Sequence, residues 1–171
     1  MNKLLSLVVA IFLLVSCQTA KVEQQVDATQ KYQMDLAKFY TNPKTTPLIG
    51  EEKNNFKGIT FFPIQEQYKV KAQFSPIENG RVIPFPTSAK KIKHYKEYGT
   101  VQFMINGVEQ TLTIYQSSPI MEKYEDSLFL PFMDETNGIT SYGGGRYLDL
   151  STKDVETTSN EMILNFNQAY N

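Results

Sequence analysis

The sequence predicts a mainly β protein of the α+β class, in which an antiparallel sheet, barrel-like or sandwich-like, carries one amphipathic helix near the N-terminus. The chain of 171 residues contains 10 Tyr, 11 Phe and 8 Pro but no Trp, a composition that suits strands and turns. Several segments alternate apolar and polar residues with a period of two, which is the pattern of half-buried strands. Beyond the N-terminal segment, the length is that of a single domain.

The first seventeen residues have the composition of a bacterial export signal. Lys3 precedes an apolar run over residues 4–15, and Leu14-Val15-Ser16-Cys17 ends in the only cysteine of the chain. A basic start, an apolar stretch and a small residue before the cleavage point are typical of a secretory signal peptide. The last four residues resemble the lipobox of bacterial lipoproteins. We therefore expect a signal peptide over residues 1–16 and a diacylglycerol on the sulfur of Cys17.

Two other interpretations of this segment are a transmembrane anchor and a cleaved signal that leaves a free thiol. The apolar run is shorter than the roughly 20 residues that a spanning helix needs. An odd cysteine in an exported protein requires an explanation, and lipidation supplies one. Several acyl chains give stable anchoring at about 0.8 kcal/mol per buried CH₂ group. The membrane is therefore expected to be a partner through the lipid on Cys17, and residues 17–26 form a polar tether.

Charge and sorting residues limit the partners and the location. The 17 basic and 18 acidic residues nearly balance, so the charge gives no basis for binding nucleic acid. Gln18 and Thr19 follow Cys17, and no acidic cluster comes next. An aspartate there would favour the inner membrane of enteric bacteria, and an acidic run would favour export to the cell surface. We therefore expect an outer-membrane lipoprotein that faces the periplasm.

A helix is predicted directly after the tether. Asp27 is a capping residue, and Gln30 three positions later completes a variant of the capping box. Asn42-Pro43 ends the helix. Apolar and aromatic residues recur on one face at helical spacing, namely Ala28, Tyr32, Leu36, Phe39 and Tyr40. We expect this face to pack on the core rather than to bind a partner.

Strand patterns continue along the rest of the chain. Residues 68–74 alternate apolar and polar side chains, which predicts a half-buried strand. Asn79-Gly80 indicates a turn, and Pro84 with Pro86 indicates an edge strand or an irregular segment. Three later strands are predicted at Leu128–Phe132, Arg146–Leu150 and Met162–Phe166.

The clearest predicted element is a hairpin around Asn106-Gly107, the dipeptide that suits a type I′ turn. One face of this hairpin is apolar and carries Val101, Phe103, Ile105, Val108, Leu112 and Ile114. The other face is polar and carries Thr100, Gln102, Glu109, Thr111 and Thr113. Gln110 is the single polar residue on the apolar face, which we expect to form part of the core.

Five strings along the chain together resemble one family. They are FKGITFFP (56–63), YGTVQF (98–103), LFLPFMDETNG (128–138), TSYGGGRYLDL (140–150) and LNFNQAYN (164–171). In order and spacing they are similar to the bacterial and archaeal family called domain of unknown function 1684, over about residues 30–171. The resemblance implies no particular activity. Family members continue past AYN with two cysteine-containing segments, so the resemblance implies that the single globular domain, 27–171, lacks the C-terminal part of the family domain.

Residues 134–146 hold the densest set of candidate functional groups, with Asp134 and Glu135 at one end and Arg146 at the other. A guanidinium can grip a carboxylate or phosphate with two hydrogen bonds. Glycine backbone can approach a ligand closely, and Asp134 can serve as a base. These properties predict a pocket for a small anionic ligand, built on Asp134, Tyr142, Gly143, Gly144, Gly145 and Arg146. The alternative is a structural turn in which Arg146 pairs with Asp134 or Asp149.

The sequence lacks the residues that metal, nucleotide and nucleophilic sites require. His94 is the single histidine, so no histidine pair exists for zinc. Asp134-x-Thr136-x-Gly138 is too sparse for a calcium loop, and no nucleophile elbow, phosphate-binding lysine loop or dinucleotide fingerprint occurs. We therefore expect no metal and no cofactor. The lysines around His94 are expected to form a solvated strand face, and they are Lys90, Lys91, Lys93 and Lys96.

Two functions from different classes remain open. The first is a non-catalytic envelope lipoprotein that binds a small ligand or another envelope component. The second is a hydrolase-like enzyme whose pocket is built on Asp134, Tyr142 and Arg146. The lack of a recognisable nucleophile or metal set favours the first. A deep cleft lined by these three residues would favour the second, whereas a filled turn with Arg146 in a closed salt bridge would favour the first.

Overall fold

Seven antiparallel strands form one curled sheet, a half-barrel, in the computed structural model. The structure describes residues 26–87 and 91–170. The predicted signal peptide, Cys17 and nearly all of the tether lie outside the described residues. The strands are β1 (Lys69–Pro76), β2 (Val82–Pro86), β3 (Ile92–Ile105), β4 (Val108–Ser117), β5 (Ser127–Phe132), β6 (Arg146–Ser151) and β7 (Glu161–Asn165). Their order is β6-β5-β4-β3-β1-β7, with β2 paired to β3. The predicted fold class is confirmed.

The predicted N-terminal helix is confirmed as α1 (Ala28–Thr41). The Asp27 carboxylate accepts a hydrogen bond from the Thr29 N–H at 3.0 Å, and the Gln30 side chain accepts one from the Asp27 N–H at 3.4 Å. Both bonds of the capping box are therefore present. The predicted apolar face is only partly covered, because Tyr32 is half-buried while Phe39 is exposed. A second short helix, α2 (Gly50–Asn55), was not predicted.

The hairpin of β3 and β4 has the predicted turn and register. Asn106 and Gly107 have φ values of 50° and 76°, as a type I′ turn requires. Val101 pairs with Leu112 and Phe103 with Gln110, so the predicted apolar residues share one face. Val108 lies on that face but is exposed. Its exposure arises because β3 pairs with β1 only as far as Phe103, so the tip of the hairpin extends beyond its neighbour.

The prolines and one glycine mark the irregular positions of the sheet. Pro84 and Pro86 lie on β2, which pairs only with β3, so the predicted edge strand is confirmed. The register of β3 shifts between Glu97 and Gly99. A Cβ atom at Gly99 would lie 2.3 Å from the ring of Phe74, so a larger residue there would displace a core side chain.

The buried core occupies one face of the sheet. It consists of Ala72, Phe74, Val101, Phe103, Ile114, Leu128, Leu130, Leu148, Met162 and Leu164. Phe166 follows β7 and packs on Phe103 and Phe132, with ring centroids 5.4 and 5.1 Å apart. It was predicted to end a strand, but it begins a 3₁₀ turn that the Asn165 side chain caps. This turn brings an aromatic ring over one end of the core.

The segment after β7 closes the gap between the two end strands of the sheet. Tyr170 pairs with Tyr147 of β6 through two backbone hydrogen bonds of 2.8 and 3.1 Å. The Tyr170 hydroxyl also donates to the Asp149 carboxylate at 2.8 Å. The two end strands are thus joined through a segment that follows β7 directly, and the sheet approaches a closed barrel.

The two ends of the sheet follow from the strand directions. Because all pairs are antiparallel, β3, β5 and β7 run the same way. They finish at Ile105, Phe132 and Asn165, which define what we call the Asn165 end. The opposite end, where β4 finishes at Ser117, is called the Ser117 end.

We predict that Phe103→Ala lowers the free energy of unfolding by about 3–5 kcal/mol, because it empties a buried aromatic position beside Phe166. Thr111→Ala, on the exposed face of the same hairpin, serves as the control and should cost well under half of that. Urea denaturation of both variants measures the difference. Equal losses would mean that the face assignment of the hairpin is wrong.

Candidate functional site

The segment between β5 and β6 folds into a turn closed by its own side chains. The Asp134 Oδ1 atom accepts from the backbone N–H and the hydroxyl of Thr136, at 2.9 and 2.5 Å. The Asn137 amide donates to the Ser141 hydroxyl at 3.1 Å and to the Tyr142 carbonyl at 2.9 Å. Asx and Ser/Thr side chains that bond nearby backbone in this way stabilise turns. The predicted turn chemistry is therefore present in residues 134–142.

Arg146 begins β6 at the rim of the core. It pairs across the sheet with Phe132, so it lies on the same face as the buried side chains. Its guanidinium carbon lies 5.3 Å from the ring centroid of Phe62 and 5.2 Å from that of Phe132, which is within the range of cation–π attraction. One Nη atom donates to Oδ2 of Asp134. The Arg146 side chain is only 14% exposed and that of Asp134 31%.

The environment of Asp134 favours its charged form. Partial burial by itself raises the pKa of the Asp134 carboxyl, but hydrogen bonds from Arg146 and Thr136 outweigh it, and the pKa lies below its ordinary value. Asp134 is therefore ionised at neutral pH. Thr136 occupies one of its oxygens and Arg146 the other. A carboxylate with both oxygens engaged and a lowered pKa is a weak base.

Of the other predicted site residues, Tyr142, Gly143 and Gly144 are exposed on the outer side of the same turn, whereas Gly145 is buried. Tyr142 is exposed, and a Cβ atom at Gly144 would lie 2.4 Å from its ring. Gly145 has a φ of 105°, and a Cβ there would lie 2.9 Å from the Phe132 carbonyl oxygen, so both reasons favour glycine. Within residues 26–87 and 91–170, the N–H groups of Gly143 and Gly144 have no acceptor. The Nε atom of Arg146 is buried, and it also lacks one in that part of the chain.

A depression that the sequence did not predict lies toward the Ser117 end, with a volume of about 580 Å³. Tyr95 and Phe129 line it with rings stacked 5.0 Å apart, and Asp149 lies beside them. The two rings belong to a chain of aromatic contacts on the face opposite the core, formed by Phe85, Tyr95, Tyr115, Phe129, Tyr147 and Tyr170. The sequence feature that could have predicted this aromatic cluster is the set of aromatic residues at strand positions that face away from the core.

The tyrosines around Asp149 are held in their protonated form. Burial first, and then the charge of Asp149, raise the pKa of Tyr32 to about 12. The same two causes raise the pKa of Tyr170 even further. These phenols therefore act as hydrogen-bond donors at neutral pH and not as bases.

Among residues 26–87 and 91–170, no group of three acidic, histidine or cysteine side chains is placed to hold a metal ion. No helix in that part of the chain has the length and apolar character needed to cross a membrane.

Comparison with known proteins identifies the family. A family described as a protein of unknown function, DUF1684, matches residues 54–171. Among solved structures, the chain is similar to an uncharacterized protein of Haloarcula marismortui determined by solution NMR. The two are 27% identical with a TM-score of 0.65, over 83% of this chain and 75% of that chain. None of the curated proteins matches. Since the family match covers more than half of the sequence, this chain belongs to the DUF1684 family, as its five strings predicted.

Proposed function

We propose that this protein is a lipid-anchored, non-catalytic domain of the cell envelope that binds a small anionic ligand. The observation that carries the non-catalytic part is the closed pair of Asp134 and Arg146. The anchor rests on the lipobox that ends at Cys17. The two parts of the proposal depend on different residues, and separate experiments test them.

The geometry supports binding over hydrolysis. A hydrolase-like pocket would need Asp134 free to take a proton, with Tyr142 beside it. Both carboxylate oxygens of Asp134 already accept hydrogen bonds, and its pKa is lowered. Tyr142 lies on the outer surface with its ring against Gly144. The alternative of an enzyme therefore has less support than a binding domain.

Three donors at the turn have no acceptor among the described residues. They are the N–H groups of Gly143 and Gly144, which are exposed, and the Nε–H of Arg146, which is buried. A set of donors beside a guanidinium favours an anion such as a carboxylate or a phosphate. In this proposal Arg146 is the anion anchor, and Asp134 holds its guanidinium in place.

We predict that Arg146→Lys weakens the binding of inorganic phosphate to the folded protein about tenfold or more, because lysine keeps the charge but loses the planar fork. Isothermal titration measures binding, and urea denaturation measures stability. Arg81→Lys is the matched control, since Arg81 pairs with Glu97 but is exposed and distant in sequence from the turn. If Arg146 serves only to pack on Phe62 and Phe132 and to hold Asp134, the variant loses stability but its folded fraction binds phosphate as before.

We predict that Cys17→Ala abolishes lipidation and leaves the unprocessed precursor, because no thiol remains to accept the diacylglycerol. Metabolic labelling with an alkynyl fatty acid measures incorporation. Ser16→Ala, which keeps a small residue before the cysteine, should be labelled like the unmodified protein. Undiminished label in Cys17→Ala would rule out the anchor.

The location is tested by protease treatment of cells. We predict that the domain survives added protease in intact cells and is digested once the outer membrane is permeabilised, because Gln18 and Thr19 carry neither retention nor surface-export signals. A known periplasmic protein serves as the control for membrane integrity. Rapid loss of the domain from intact cells would place it on the cell surface instead.

A further inference from the structure

We infer that the Asn165 end of the sheet faces the lipid bilayer and that an exposed apolar rim at this end rests in the lipid surface. The inference rests on the proposed lipid anchor at Cys17 and adds an orientation to it. We define the apolar rim as Phe62, Met133, Ile139 and Tyr142. The rim lies at the boundary between headgroups and acyl chains, in the leaflet that holds the lipid anchor.

The start of α1 lies at the Asn165 end of the sheet. Thr29 stands in the first turn of α1, and its hydroxyl accepts a hydrogen bond from the Asn165 side chain at 2.8 Å. The Gln33 amide donates to the Asn167 carbonyl at 3.1 Å. These bonds hold the start of α1 against the Asn165 end of the sheet. The chain therefore enters the domain at this end and not at the Ser117 end.

The chain between Cys17 and α1 is short. From Cys17 to Val26 there are nine peptide bonds, which span at most about 30 Å even when fully extended. A lipid on Cys17 thus keeps Val26 within that distance of the bilayer. Because Val26 precedes α1 directly, the Asn165 end is the part of the domain that the tether brings closest to the membrane.

The surface at the Asn165 end exposes several apolar side chains. Met133 is 70% exposed and Ile139 82%, both on the turn between β5 and β6. Tyr142 on the same turn and Phe62 beside Arg146 are also exposed. Phe132, which precedes the turn, packs on Phe166, and Phe166 directly follows Asn165. Exposed apolar side chains suit an interaction surface, and tyrosine suits the boundary between water and lipid. Ile92, Ile120 and Met121 are also exposed at the Ser117 end, so the point where the chain enters the domain decides between the two ends.

The charged side chains near the rim determine whether electrostatic attraction contributes to its contact with the bilayer. The cation of the rim region, Arg146, is paired with Asp134, and Glu135 on the same turn is exposed. The turn from residue 133 to 146 therefore carries no unpaired positive charge, and Lys69, an exposed cation that pairs with Asn165 at this end of the sheet, lies outside the rim. Contact of the rim itself with the bilayer should come from apolar burial, so it should not require anionic headgroups and should resist salt.

Tryptophan fluorescence tests the orientation without interference, because the chain contains no Trp. Ile139→Trp places one indole on the rim. Ile120→Trp is the matched control, since Ile120 is also exposed but follows β4 at the Ser117 end. Met133→Trp is a second rim reporter. Each lipidated full-length variant is reconstituted into phosphatidylcholine vesicles that contain lipids with brominated acyl chains. Co-flotation with the vesicles is measured in the same samples, with and without added salt.

The expected result is quenching of Ile139→Trp and Met133→Trp that is about threefold stronger than that of Ile120→Trp, with little effect of salt or of anionic lipid. Equal quenching at both ends, or stronger quenching at Ile120→Trp, would overturn the orientation while co-flotation leaves the anchor intact. Quenching that appears only with anionic lipid and disappears in salt would overturn the apolar contact. Loss of co-flotation would instead refute the anchor and, with it, the orientation.

Discussion

The pairing of β3 with three other strands determines where the rest of the sheet lies. This strand of 14 residues pairs with β1, β2 and β4, while β7 reaches it through β1 and β5 through β4. The turn at Asn106-Gly107 fixes its register with β4. A slip of one residue would turn Val101 and Phe103 toward solvent. The core therefore depends on one correctly formed hairpin.

Arg146 connects the core to the candidate site. Its position opposite Phe132 places an obligatory cation at the edge of an apolar face, where an unpaired charge would be costly. The planar guanidinium resolves this conflict, because its faces contact the rings of Phe62 and Phe132 while one edge reaches Asp134. A lysine has no comparable flat surface. Whatever binds at this turn must accept a guanidinium that is already oriented by structure.

Local features of the sequence predicted the elements whose causes are local. Asp27 with Gln30 identified the helix start, and Asn106-Gly107 identified the hairpin. The proximity of Asp134 and Arg146 followed from the short connection between two strands. The family resemblance, predicted over about residues 30–171, is confirmed by a family match over residues 54–171.

Features that depend on distant parts of the chain were not predictable in this way. The position of Phe62 over Arg146 requires a segment before β1 to cross the end of β6, and no pattern of spacing encodes such a crossing. The aromatic contacts opposite the core need three strands in register before Tyr95 can meet Phe129. The exposure of Tyr142 depends on how the Asn137 amide closes its turn. Each of these results from tertiary pairing rather than from local propensity.

The joining of Tyr170 to Tyr147 has a consequence for the order in which the domain can form. The first helix is held by Asn165, and the gap beside β6 is closed by Tyr170, so neither contact exists until almost the whole described chain is available. Such long-range pairing makes folding slow. A chain that lacks Asn165 and Tyr170 can make neither contact, so we expect it to remain incompletely folded. If the protein is exported as we propose, late closure would keep it in the unfolded state that passage through a translocation channel requires.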